Sequence, residues 1–250
     1  MMTGLLHIQD VSMGWGERVI SRDLNFEVQR GEILVIMGTS GCGKSTLMRL
    51  LVGLERPIKG HVFFEDSDLH QGEPQALDVL RRHFGVMFQG GALWSSMTVG
   101  ENLLLPLRLF SQLSTAAMRQ VAEFKLALVG LQGSYDAMPA TLSGGMIKRV
   151  AIARSLVLNP DVLCLDEPAS GLDPVNAARL DELILALREH LGTTVILVTH
   201  SVEGIFAVAD RALYLDDQLK TMTAIDTPQA LLAHGPERVR EFLQRTPHKS

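Results

Sequence analysis

The chain has 250 residues and a formal net charge of −5, with 46% apolar and 20% charged residues, which is enough to bury a core without disulfides or metals. That balance lacks the basic footprint of free-standing nucleic-acid binders. No run approaches the ~20 apolar residues of a membrane span, so a membrane role has to be peripheral or supplied by another chain. Only Cys42 and Cys164 occur, which excludes a disulfide scaffold and suits a reducing cytosol.

The opening, MMTGLLHIQDVSMGW, lacks a basic stretch followed by an apolar one and is read as carrying no signal peptide. His7 to Val11, Arg18 to Ile20 and Leu24 to Val28 then read as antiparallel strands, punctuated by Gly14, Gly16 and Arg30-Gly31. Ile33 to Met37 is a continuous apolar run, which suits a strand buried on both faces. Residues 38–46, GTSGCGKST, satisfy G-x-x-x-x-G-K-[ST], and Ser45 to Gly53 follows with helical spacing.

The candidate phosphate cradle is therefore Gly38, Thr39, Ser40, Gly41, Cys42, Gly43, Lys44, Ser45 and Thr46. Glycines let successive N–H groups point inward at an anion, and the helix that follows adds its positive dipole end. Lys44 is expected to reach the β- and γ-phosphates and the Ser45 hydroxyl to ligate Mg²⁺. Cys42 reads as a small residue at a variable position, although oxidation or alkylation there would block the site.

His61 to Asp66 returns to strand character, Leu77 to His83 looks helical, and Gly85 to Phe88 is a short strand ending at Gln89. From about Ser95 to Asn159 the pattern is helical, clearest over Thr115 to Val129. The division this predicts is an α/β core over 1–90 and 160–225, an inserted helical subdomain over 91–159 and a helical tail over 226–250. Val162 to Leu165 and Val195 to Val198 are buried-strand candidates, with an amphipathic helix at Asn176 to Leu191 between them. Tyr214 to Leu215 is a short strand, and Pro228 to Arg245 a terminal helical tail.

The strand V-L-C-L-D-E, 162 to 167, ends in two carboxylates at the carboxyl end of the sheet, beside the phosphate loop. Adjacent strand residues face different ways, so the two acids take different jobs. Asp166 suits the Mg²⁺ shell, and Glu167 suits orienting or deprotonating an attacking water. His200 leaves another buried strand and can bond a γ-phosphate. Gln89 offers a neutral amide that can touch Mg²⁺ or water, although alone it is unremarkable. Residues 142 to 146, L-S-G-G-M, precede Lys148-Arg149 and a helical run, which makes a second anion cradle. One triphosphate does not need two, so the second is expected to serve a nucleotide held by another subunit.

The chain resembles the ATP-binding cassette (ABC) transporter ATPases over almost its whole length. The matching pieces are GTSGCGKST, Gln89, LSGGM, LCLDE, S-G-L-D at 170 to 173 and His200, in the family's order. The resemblance implies a P-loop NTPase core with an antiparallel β subdomain and an inserted helical subdomain. It also implies a head-to-tail homodimer in which ATP lies between one copy's phosphate loop and the other's signature. Ser143, Gly144 and Gly145 then act in trans, Asp173 lies at the dimer seam, and Trp15 stands where an aromatic stacks on adenine. Trp15 also reads simply as an exposed tryptophan in a glycine-rich turn.

The signature ends in Met146 where the family usually has glutamine, so one polar contact near the partner's nucleotide is lost. LSGGM, F-Q-G-G-A-L-W-S-S-M-T-V and R-V-R-E-F-L at 238 to 243 are similar to the ATPases of Mla-type and Mce-associated lipid transport systems. That likeness implies phospholipid cargo in a diderm envelope. The partners it implies are permease subunits, an Mce-domain substrate-binding protein and an accessory subunit. It places the chain peripherally on the cytoplasmic face of the inner membrane. Trp94 falls on the surface that receives the permease in such systems, or in ordinary subdomain core, and the sequence does not separate the two. Arg238, Arg240 and Arg245 read as a solvated face, or as part of a tail that reaches the neighbouring ATPase subunit. Another cargo keeps the motor; a cassette acting on DNA or ribosomes ranks lower, since there is no second cassette, zinc-spaced cysteine pair or heptad arm.

Overall fold

The computed structural model describes residues 4–16 and 18–244. The chain falls into two compact units, Met1–Arg81 with Thr194–Ser250, and Arg82–Thr193.

The first unit opens with β1 (Leu6–Trp15) and β2 (Arg18–Val28), and continues with β4 (Lys59–Phe64) and β5 (Ser67–Asp68) in an antiparallel sheet ordered β2-β1-β4-β5. The two strands expected at Arg18–Ile20 and Leu24–Val28 are one strand, because β2 pairs with β1 from Trp15↔Arg18 to Leu6↔Val28. A register shift falls between Met13↔Ser21 and Val11↔Leu24, where Arg22 and Asp23 are exposed and Asp23 takes a positive φ of 53°. Gly14 does not end β1; its bare Cα admits the Arg18 carbonyl, which stands 2.0 Å from where a Cβ would lie.

The same unit holds β3 (Ile33–Gly38), β8 (Thr194–Val198), β9 (Arg211–Asp216) and β10 (Thr221–Asp226), ordered β10-β9-β3-β8. β3 runs parallel to β8 and β9, and every residue of β3 and β8 is buried, as their unbroken apolar runs require. Each buried Val, Ile or Leu there contributes about 1.5–3 kcal/mol relative to exposure. Helices α1 (Lys44–Leu51), α2 (Pro74–Arg81) and α7 (Val202–Val208) belong to this unit, as do α8 (Pro228–His234) and α9 (Glu237–Gln244). The expected single tail helix is broken at Gly235-Pro236, and Arg245 with residues 246–250 lies outside the described residues. β5, β10 and α7 are short and were not expected from the sequence.

The second unit contains the parallel pair β6 (Phe84–Met87) and β7 (Val162–Asp166). Around it lie α3 (Val99–Phe110), α4 (Thr115–Leu128), α5 (Gly144–Ser155) and α6 (Pro174–Leu191). The helical run expected from Ser95 starts at Val99, where Thr98 and Glu101 form a reciprocal capping box. Helices α3, α4 and α5 pack on one another through residues such as Leu103, Leu107, Ala122, Leu126 and Val150, all buried. α6 starts on an Asp173 cap with Pro174 in its first turn and stops at Gly192 in the left-handed conformation (φ 65°). Among the described residues no helix is long and apolar enough to cross a membrane.

Candidate nucleotide site

In the first unit the fully buried β3 delivers the chain into the glycine loop. Gly38, Gly41 and Gly43 have φ of 147°, 83° and 103°, a region where a side chain is strained. Gly43 is the N-cap of α1 and, having no side chain, offers no side-chain cap. Lys44 Nζ donates to the carbonyls of Gly38 and Thr39, both at 3.0 Å, and lies 4.0 Å from Cys42 Sγ. The ammonium thus holds the loop's mouth while remaining 8% exposed. Ser45 and Thr46 lie in the first turn of α1. Ser40 and Gly41 are exposed at the loop tip. Burial pushes the Cys42 thiol up despite Lys44, so this cysteine is a buried neutral side chain, in keeping with its reading as a small filler.

Trp15 ends β1 and is 56% exposed, its indole N–H donating to Glu55 Oε2 at 3.2 Å. Glu55 is in turn 3.6 Å from Arg49 of α1. An exposed, tethered ring offers a face for stacking, and Glu55 is a residue that sequence reasoning missed because 40 positions separate the pair. His200 follows β8, exposed, next to Thr199, whose Oγ1 accepts the Ser201 N–H at 3.1 Å. Because Ile36 pairs with Val198 in parallel register, the phosphate loop and His200 leave neighbouring strands at the same end.

In the second unit Met87 pairs with Leu165, so Gln89 and the acid pair also leave neighbouring parallel strands at one end. Gln89 lies in an exposed turn after β6. Asp166 closes β7 and is 3% exposed. Glu167 takes a positive φ of 49°, which turns the backbone out of the strand direction after Asp166. Lys148 is buried on α5, with Nζ donating to Ser170 Oγ at 3.4 Å. Burial pulls its pKa down, opposed by Glu167 and Asp166, so a cation faces the two acids. Its presence was visible as half of Lys148-Arg149, but not its direction. The side chains of Asp166 and Gln89 offer oxygen donors, the hard type that suits Mg²⁺ rather than a soft metal.

The signature loop is on the surface of the same unit. Ser143 caps α5, its Oγ accepting the Met146 N–H at 3.3 Å, and Ser143 and Gly144 are exposed. Met146 lines a concavity of about 260 Å³ together with Ser143, Gly145, Arg149, Leu172 and Asn176. Asp173 caps α6, accepting from Val175 N at 3.1 Å and Asn176 N at 3.0 Å, and these bonds to Asn176 hold its carboxyl below the usual range. Trp94 is 57% exposed, which removes the core reading, and its loop is pinned by Asn102. The fully buried Asn102 accepts from Trp94 N at 2.8 Å and donates to the carbonyls of Trp94, Met97 and Thr98.

A family model described as ABC transporter matches residues 21–170. The chain is 37% identical over 244 residues to the intermembrane phospholipid transport system ATP-binding protein MlaF of Haemophilus influenzae, covering 98% of this chain and 92% of that one. It is 35% identical over 238 residues to the probable ribonucleotide transport ATP-binding protein mkl of Mycobacterium leprae, covering 95% of this chain and 68% of that one. A solved structure described as a dimeric post-hydrolysis state of the ATP-binding cassette MJ0796 bound to ADP and Pi is 30% identical, with a TM-score of 0.79 over 89% of this chain and 98% of that one.

Proposed function

The chain belongs to the ABC transporter family and is an ATPase, and we propose that it is the motor of a phospholipid transporter, working as a head-to-tail homodimer. The observation that carries this reading is the 37% identity, over 98% of this chain, to an intermembrane phospholipid transport system ATP-binding protein. A ribonucleotide cargo is the second reading, favoured by the mkl relative, of which the chain matches a smaller share at lower identity. In the proposed assembly the dimer sits on membrane-spanning permease subunits at the cytoplasmic face of an inner membrane. An Mce-domain substrate-binding protein and an accessory subunit complete it. The exposed Trp94 on its pinned loop is the proposed permease contact.

Within each copy the loop from Gly38 to Thr46 cradles the phosphates, Lys44 turns its ammonium from its own carbonyls to the β- and γ-oxygens, and Trp15 stacks on adenine. Ser45, Asp166 and Gln89 hold Mg²⁺, which when bound neutralises phosphate charge. Glu167 orients and deprotonates the attacking water, and His200 holds the γ-phosphate side. Ser143, Gly144, Gly145 and Met146 of one copy face the nucleotide of the other, and Asp173 lies at the seam. Residues 91–159 serve as the helical subdomain that carries the signature, with 1–90 and 160–225 as the nucleotide core and 226–250 as the tail.

Purification of the chain with its membrane partners, followed by extraction and mass spectrometry, tests the cargo. Phospholipid in the complex and phospholipid-dependent stimulation of ATPase activity are the expected results. Stimulation by ribonucleotides and not by phospholipid would favour the second reading.

A further inference from the structure

Helix α9 reaches the phosphate loop through two carboxylates. Arg238, in its first turn, donates through one guanidinium nitrogen to Asp216 and through the other to Asp217 Oδ1 at 3.0 Å. Asp216 ends β9, is 2% exposed, and also accepts the N–H groups of Gln218 and Leu219, both at 2.9 Å, so it shapes the turn into β10. The preceding residue, Leu215, pairs with Gly38, and its carbonyl stands 2.5 Å from where a Cβ on Gly38 would lie. The first residue of the phosphate loop therefore rests directly on the end of β9.

The contact continues one residue on. The Thr39 hydroxyl is enclosed without a well-aligned partner, and Asp217 is a carboxylate it acts on. Burial pushes the Asp217 carboxyl up, but Arg238 and Thr39 outweigh it and hold the carboxyl below its usual range. The helix that presents Arg238 is itself anchored: Val239, Phe242 and Leu243 are buried, and the Phe242 ring lies edge-on to Tyr214 at 5.5 Å.

Two carboxylates beside a cradle for a polyanion repel it, and a buried carboxylate left without a cation is costly. A guanidinium fork can satisfy both acids at once, where a lysine supplies only a point charge. We propose that Arg238 is a positioning residue for the phosphate loop, neutralising Asp216 and Asp217 and so setting the affinity of the loop for nucleoside triphosphate. The C-terminal helix thereby acts within its own copy on the ATP site. This rests on the reading of residues 38–46 as that site.

The test is binding of a fluorescent ATP analogue to the full-length chain, with steady-state ATPase kinetics alongside. Arg238→Ala is expected to weaken binding about threefold to tenfold, with kcat at saturating ATP changed less than about twofold. Asp217→Asn alone is expected to bind as tightly as wild type or more tightly, and the double variant to recover at least half of the loss on a logarithmic scale. The loss in Arg238→Ala should also shrink as salt is raised. Unchanged affinity in Arg238→Ala, or a double variant as weak as the single one, would overturn the proposal. If Arg238→Ala does not fold, Arg238→Lys and Asp217→Asn carry the test, and weaker binding in Asp217→Asn contradicts it. Lys44→Ala is the separate control: wild-type binding there sinks the site reading itself, whatever the Arg238 variants do.

Discussion

Lys44 Nζ donates to the Gly38 carbonyl at 3.0 Å, so the ammonium proposed to bind phosphate is held by the residue at which its own loop begins. A second bond of the same length runs to the Thr39 carbonyl. Lys44 is thus kept buried and in place. Lys44→Ala removes charge-assisted bonds to phosphate and is expected to weaken ATP binding about tenfold or more. Isothermal titration calorimetry checks it, with the melting temperature as the control that the loop has not simply unfolded.

Asp173 is a cap and a proposed seam residue, and the two roles separate by size. Losing the bonds to Val175 and Asn176 in Asp173→Ala should lower the melting temperature measurably, as for other N-caps. Asp173→Ser keeps a cap and should keep most of that stability. If Asp173 also joins the two copies, both variants lose ATPase activity well beyond the stability change, which thermal melts and steady-state turnover read independently.

Asp181 on α6 is half-buried, and burial raises its carboxyl to about 6. With its folded pKa above the unfolded one, the folded state prefers the proton. Stability from this group is then present below the ordinary carboxylate pKa and is lost as pH rises towards about 6. Asp181→Asn should therefore raise the melting temperature at pH 7.5 and leave it nearly unchanged at pH 4. The gain expected is on the order of 1 kcal/mol, allowing for partial solvation.

Met146 lines the concavity beside the signature serine without donating a side-chain hydrogen bond. Met146→Gln adds an amide at a surface position and should change stability by less than about 0.5 kcal/mol. ATP-driven association of two copies should be strengthened, and light scattering at graded ATP concentrations measures it.

The parts of the site that lie within one strand and one turn were legible from the sequence. The apolar run of β3, the glycine loop and α1 are contiguous, and so are β7 with its two acids. What could not be read was set by tertiary partners, 40 positions away for Trp15, 22 for Asp216 and eight for Trp94. Glu55 on Trp15, Asn102 under Trp94 and Arg238 on Asp216 each depend on a tertiary contact that no local pattern announces. The same holds for β2, where a polar interruption read as a break is carried through by pairing with β1. Arg238 read as a solvated face or as part of a tail reaching a neighbouring subunit, and neither reading contained its pairing with Asp216 and Asp217.

Each chain is proposed to carry two half-sites completed only by a second copy, and sedimentation of Glu167→Gln with and without ATP tests this pairing. The variant should be monomeric alone and dimeric with ATP, because nucleotide is bound but not hydrolysed. Adding Ser143→Arg should abolish the dimer while ATP still binds each monomer through its own phosphate loop. A Glu167→Gln chain that binds ATP yet stays monomeric, or one that dimerises equally well with Ser143→Arg, would contradict the account.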